Sequence, residues 1–114
     1  MKINYFVFGT NDMAAAVAFY DLIFADCGMI KLHDEGSMTL WGGDEFMFAL
    51  AEPFDAAANG SMVGFNLESS AHVESLHHKA LSVGATDEGE PGIRSGRFSA
   101  YVRDLDNNKV CFFV

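Results

Sequence analysis

The feature that most constrains this chain is a repeated order of elements. A strand, a helix and three further strands can be read before residue 52, and the same order recurs after residue 60. Ile3 to Phe8 is a β-branched and aromatic run closed by Gly9-Thr10-Asn11-Asp12, the pattern of a buried strand followed by a turn that carries a helix N-cap. Met13, Val17, Tyr20 and Phe24 then recur at helical steps and lay one apolar stripe along a helix that Gly28 ends. Met29 to His33, Met38 to Trp41 and Glu45 to Leu50 read as three short strands. The clusters Asp34-Glu35-Gly36-Ser37 and Gly42-Gly43-Asp44 supply the turns between them.

After a connector over about 52–60, which contains Pro53 and an alanine-rich stretch, Ser61 to Leu67 is again a strand. Ser69-Ser70 is an N-cap pair, and Val73, Leu76, Ala80 and Val83 step along a second helix that stops at Gly84. A short extended piece near Ala85 to Glu90, a loop with Pro91-Gly92, the strand Phe98 to Arg103, the turn Asp104-Leu105-Asp106-Asn107 and the strand Asn108 to Val114 complete it. The expected fold is therefore α+β: two βαβββ modules, about 1–51 and 61–114, in one domain spanning 1–114. Each helix covers one face of its sheet and leaves the other bare. The bare faces need each other or a second chain, and curved mixed sheets meeting in this way form a cup around a pocket.

Charge narrows the partners. Sixteen acidic residues against seven basic ones give a formal charge of −9, a field that repels phosphate backbones and anionic lipid. Nucleic acid and membrane are thus excluded as expected partners. No apolar run approaches the roughly eighteen residues that span a bilayer, and Met1-Lys2-Ile3-Asn4-Tyr5 enters a strand pattern with no signal-peptide core, so a cytoplasmic location is expected. Eleven Phe and six Met point to a core or cavity lined by large, polarizable side chains. Cys27 and Cys111 form no metal-type cluster and are expected to be free thiols.

The stretch from Asn11-Asp12-Met13 through Ala18-Phe19-Tyr20, together with the closing Asp104-Leu105-Asp106-Asn107-Asn108-Lys109-Val110, resembles the vicinal oxygen chelate superfamily. That group includes glyoxalase I, bleomycin-resistance proteins and extradiol dioxygenases. Pro91-Gly92-Ile93-Arg94 leading to Ser99-Ala100-Tyr101-Val102 looks like its glyoxalase-related members. The resemblance implies that metal ligands, where present, come from the first and last strands of each module. Here those places fall on Tyr5, Phe48, Met62 and Cys111. A phenol, a benzyl ring, a thioether and a thiol do not hold a hard divalent cation. No metal site and no cofactor are therefore expected.

The implied function is metal-independent binding of a small molecule in an aromatic and sulfur-lined pocket, by a homodimer. The candidate ligand-binding residues are Tyr5, His33, Trp41, Phe48, Met62, Arg94, Tyr101 and Cys111. The alternative is a lyase-, isomerase- or dioxygenase-like enzyme with a non-standard site drawn from Tyr5, His33, Glu45 or Cys111. A collapsed cup acting as an interaction domain is a third reading. His72, His77 and His78 lack the i, i+4 spacing of a helical metal pair and read as surface residues. Arg94, Arg97 and Arg103 fall within one short stretch of an acidic chain and suggest an anion clamp at the pocket mouth.

Overall fold

The computed structural model describes residues 3–52 and 61–114, so most of the expected connector, including Pro53, lies outside the described residues. The chain divides into two compact units, Met1–Ala57 and Ala58–Val114. Each is a βαβββ unit with its own open, mixed four-stranded sheet, and the fold is α+β.

The first unit contains β1 (Tyr5–Gly9), α1 (Met13–Phe24), β2 (Ile30–Glu35), β3 (Met38–Gly42) and β4 (Met47–Ala51), with strand order β1-β4-β3-β2. β1 runs parallel to β4, and the other neighbours are antiparallel. Asp12 starts α1 by accepting a hydrogen bond from the Ala15 amide at 3.1 Å, and the Thr10 hydroxyl in turn accepts from the Asp12 amide at 3.0 Å. α1 ends at Phe24 rather than at Gly28. Its buried stripe is Ala16, Phe19, Tyr20, Ile23 and Phe24, rotated from the expected one so that Met13 and Val17 sit at its margin. Beneath it the rings of Phe8, Tyr20, Phe24, Trp41 and Phe48 form one cluster, with the Tyr20 and Phe48 centroids 4.6 Å apart. Such contacts add to area burial when edge-to-face or offset.

The second unit repeats the topology with β5 (Met62–Asn66), α2 (Ser70–Ser82), β6 (Thr86–Arg94), β7 (Arg97–Arg103) and β8 (Lys109–Phe113), in the order β5-β8-β7-β6. Ser69 caps α2 through the His72 amide. At the far end the Ala85 amide donates to Ala80 O and the Gly84 amide to Leu81 O, a Schellman ending that needs the left-handed φ of +103° at Gly84. The expected loop at Pro91-Gly92 is instead part of β6, which reaches Arg94 with register shifts around Gly89. β6 is an edge strand, where a proline without an N–H and a bulge are both tolerated.

His77 also departs from expectation. It is buried between α2 and the sheet, with its Nε2 3.0 Å from Asp87 Oδ1, which also accepts from the Gly89 amide at 3.0 Å. The His77 hydrogen bond, and after it the Gly89 amide, holds the Asp87 carboxyl below its ordinary value of 3.8. A depressed folded-state pKa contributes stability above the ordinary value that is lost as pH falls through the depressed one. Acid unfolding followed by circular dichroism should therefore show a steeper loss below about pH 4 for the parent chain than for Asp87→Asn. Identical acid limbs would remove Asp87 from the balance.

A candidate ligand-binding face on the second sheet

Alternation along the strands of the second unit separates two faces. Val63, Phe65, Val110, Phe112, Ala100 and Val102 are buried, on the side against which α2 packs. On the other side the register lines up three rows across β6, β7, β8 and β5. They are Thr86, Arg103, Lys109 and Met62; then Gly89, Tyr101, Cys111 and Gly64; then Gly92, Ser99, Phe113 and Asn66.

The middle row holds the chemistry. A Cβ on Gly89 would lie 3.0 Å from Tyr101 Cδ2, and one on Gly64 would lie 3.2 Å from Phe113 Cε1. Two glycines therefore make room for two rings to lie across the neighbouring strands. Three cations sit over those rings: the Arg94 guanidinium carbon 5.5 Å and Lys109 Nζ 5.1 Å from the Tyr101 centroid, and the Arg97 guanidinium carbon 5.3 Å from that of Phe113. Arg94 Nη1 also donates to Ser99 O at 2.8 Å, which fixes that guanidinium across the β6–β7 hairpin. Arg103 is directed elsewhere, to Asn107 O and to Glu88 Oε1.

Tyr101 and Cys111 are opposite one another and hydrogen-bonded, and this bond is the first cause of a raised phenol pKa. Burial pushes the Cys111 thiol up, opposed by its bond to Tyr101 and by the charges of Lys109 and Arg94. A raised thiol is a poor nucleophile near neutral pH. The arrangement suits it to packing and shape more than to attack.

The candidates named from sequence are thus divided. Tyr101, Cys111, Arg94 and Met62 share one face of one unit, and Met62 is 52% exposed on it. Trp41 and Phe48 both lie beneath α1 in the helix-side core of the first unit, where Trp41 Nε1 donates to Asp21 Oδ1 at 3.0 Å. The strand register makes Ala49 the counterpart of Cys111, because Val7 opposes Ala49 as Gly64 opposes Cys111, and Phe48 corresponds to Val110. Tyr5 and His33 occupy the non-helical face of the first sheet, opposite Met47 and Leu40, and Glu45 is exposed just before β4. A hollow of about 130 Å³ near Asp21, Met29, Lys31 and Trp41 is smaller than ordinary ligand cavities. Lys109 lies on the same face and was not named from the sequence. Its position beside the last-strand motif, in register with Arg103, was the available signal.

Among the described residues no three His, Cys, Asp or Glu side chains converge to hold a metal ion, and no helix of the described residues is long and apolar enough to cross a membrane. Within each unit, the first- and last-strand positions offer Tyr5 and Ala49, or Met62 and Cys111, a donor set that does not fit a hard divalent cation.

No family model and no curated protein matches the chain. Solved structures do. A glyoxalase/bleomycin resistance protein from Albidiferax ferrireducens is 26% identical, with 97% of this chain and 96% of that one covered and a TM-score of 0.84. A lactoylglutathione lyase from Agrobacterium tumefaciens is 21% identical over 98% and 92%, with a TM-score of 0.75. The bleomycin resistance determinant encoded on transposon Tn5 is 15% identical over 99% and 97%, with a TM-score of 0.71. The last two show the fold alone. By fold, and in keeping with the motifs at Asn11–Tyr20 and Asp104–Val110, the chain matches the vicinal oxygen chelate superfamily of glyoxalase and bleomycin-resistance structures.

Proposed function

We propose that the chain is a metal-independent small-molecule binding protein of the glyoxalase and bleomycin-resistance type, and that the non-helical face of its second sheet carries the ligand. One observation carries this reading: Tyr101, opposite Cys111 in the register and flanked by Arg94 and Lys109, occupies the middle row of that face. A ring, a thiol and fixed cations together recognise a molecule by stacking and polar contact. A lyase-type reaction is less favoured, because the donor set at the strand positions does not fit a hard metal ion and the one buried thiol is pushed away from reactivity.

The partner in this reading is a second copy. Tyr5, Val7, Ile30, Leu32 and Met47 leave the non-helical face of the first unit with exposed apolar and aromatic side chains, Tyr5 at 61% and Ile30 at 67%, beside a single carboxylate at Glu35 within the strands. A second copy of the chain would cover this apolar area.

Untagged protein analysed by native mass spectrometry, with elemental analysis alongside, tests both statements. A dimer with an organic molecule retained and no stoichiometric metal is expected, and Tyr101→Ala should release that molecule while leaving the far-ultraviolet dichroism unchanged. Stoichiometric metal, or retention undiminished in the variant, would overturn the binding assignment.

A further inference from the structure

Among the described residues, Arg94, Arg97 and Lys109 make no ion pair within 4.0 Å, although the chain carries sixteen carboxylate side chains. Of the other cations in the described residues, Lys79 on α2 is likewise without an ion pair, whereas Lys31 and Arg103 are paired. Lys31 pairs with Asp21 at 2.7 Å and with Asp34 at 3.6 Å, and Arg103 meets Glu88 at 3.4 Å. Three cations on one sheet face are held instead by rings and by the Ser99 carbonyl. Contacts of this kind orient a guanidinium or ammonium without neutralising it.

Resting on the ligand-face reading above, we infer that the ligand is a small organic anion with a flat unsaturated part. Its carboxylate or phosphate is held between Arg94 and Lys109, with Arg97 beside them, and its flat part lies against the Tyr101 and Phe113 rings. Arg94 presents a planar fork whose Nη1 is already committed to Ser99, which leaves the rest of the fork for an incoming oxygen. Lys109 supplies a compact second charge above the same ring. An acidic chain repels anions at long range, so this face selects by contact rather than by steering. Arg103, which the sequence grouped with the other two arginines, is not part of it, because Glu88 and Asn107 occupy its guanidinium.

The test uses the full chain with two probes of the same shape, 2-naphthoate and 2-naphthamide, followed by amide chemical-shift titration. Naphthoate should perturb β7 and β8 and bind at least about tenfold more tightly than the amide, the scale of one charge-assisted hydrogen bond. In Arg94→Gln/Lys109→Gln the preference should fall below about threefold, and in Arg97→Gln it should fall partway, with unfolding midpoints near that of the parent. Equal binding of both probes at β7 and β8 would overturn the anion inference and leave the ligand face standing. Absence of any perturbation there by either probe would overturn both.

Discussion

Phe48→Ala is expected to cost about 3 to 5 kcal/mol of folding stability, and Met62→Ala to change it by no more than about 0.5 kcal/mol. The sequence reading put both among the candidate ligand-binding residues, and sequence alone does not separate them. The structure does. Phe48 is fully buried, with its centroid 4.6 Å from Tyr20, 5.3 Å from Phe24, 5.5 Å from Phe8 and 6.0 Å from Trp41. Truncation leaves a cavity that four rigid rings cannot collapse into, so the cavity cost adds to the lost transfer energy. Met62 is half exposed on an edge strand and gives up little. Trp41 is the single tryptophan and lies in the same cluster, so urea unfolding followed by its fluorescence reads the first unit directly. A Phe48→Ala loss below about 1 kcal/mol would mean that the ring does not occupy this cluster.

Asp104→Ala should cost about 2 to 4 kcal/mol, felt in the second unit. The Asp104 carboxylate is the hub of the turn between β7 and β8. Its Oδ1 accepts from the Asp106 amide at 2.9 Å and the Asn108 amide at 2.8 Å, and its Oδ2 accepts from Asn108 Nδ2 at 3.1 Å. Asn108 is almost wholly buried, so its donors have no water to turn to when the acceptor goes. Asn107 is held at a φ of +66° within the same turn, a conformation that needs support from its neighbours. Asp104→Asn retains one oxygen for the two backbone amides and should lose about half as much. Hydrogen exchange in β7 and β8 reports the change, and protection equal to the parent in the alanine variant would refute the hub.

Elements were legible where local chemistry is decisive. Asp12 and Ser69 announced their helices, Gly84 its stop, and Gly36 the β2–β3 turn, because capping and left-handed positions admit few residue types. The motif at Asp104–Asn108 marked a turn correctly for the same reason. Faces were harder to read. β4 is an inner strand whose Phe48, Ala49 and Leu50 are all buried, so the two-residue alternation that would set its phase is missing. The sequence therefore placed Phe48 where the register puts Ala49, on the face opposite the helix. His77 and Lys109 depend on partners contributed by other elements, Asp87 on β6 and Tyr101 on β7, and no spacing along the chain records such meetings. The length of β6 was obscured by Pro91 and Gly92, which punctuate most strands but are tolerated on an edge.

The parallel pairs have a consequence for the order in which the molecule comes into being. β1 pairs with β4 about forty residues later, and β5 with β8 at a similar remove, whereas β2–β3, β3–β4 and β6–β7 close over short turns. Loop closure over such a distance is entropically costly until the intervening hairpins have formed, so the opening strand of each unit is expected to dock after them. On a ribosome β1 waits with its edge unsatisfied until β4 has emerged. Each sheet draws all four of its strands from one unit, so the first can be finished before the second has begun.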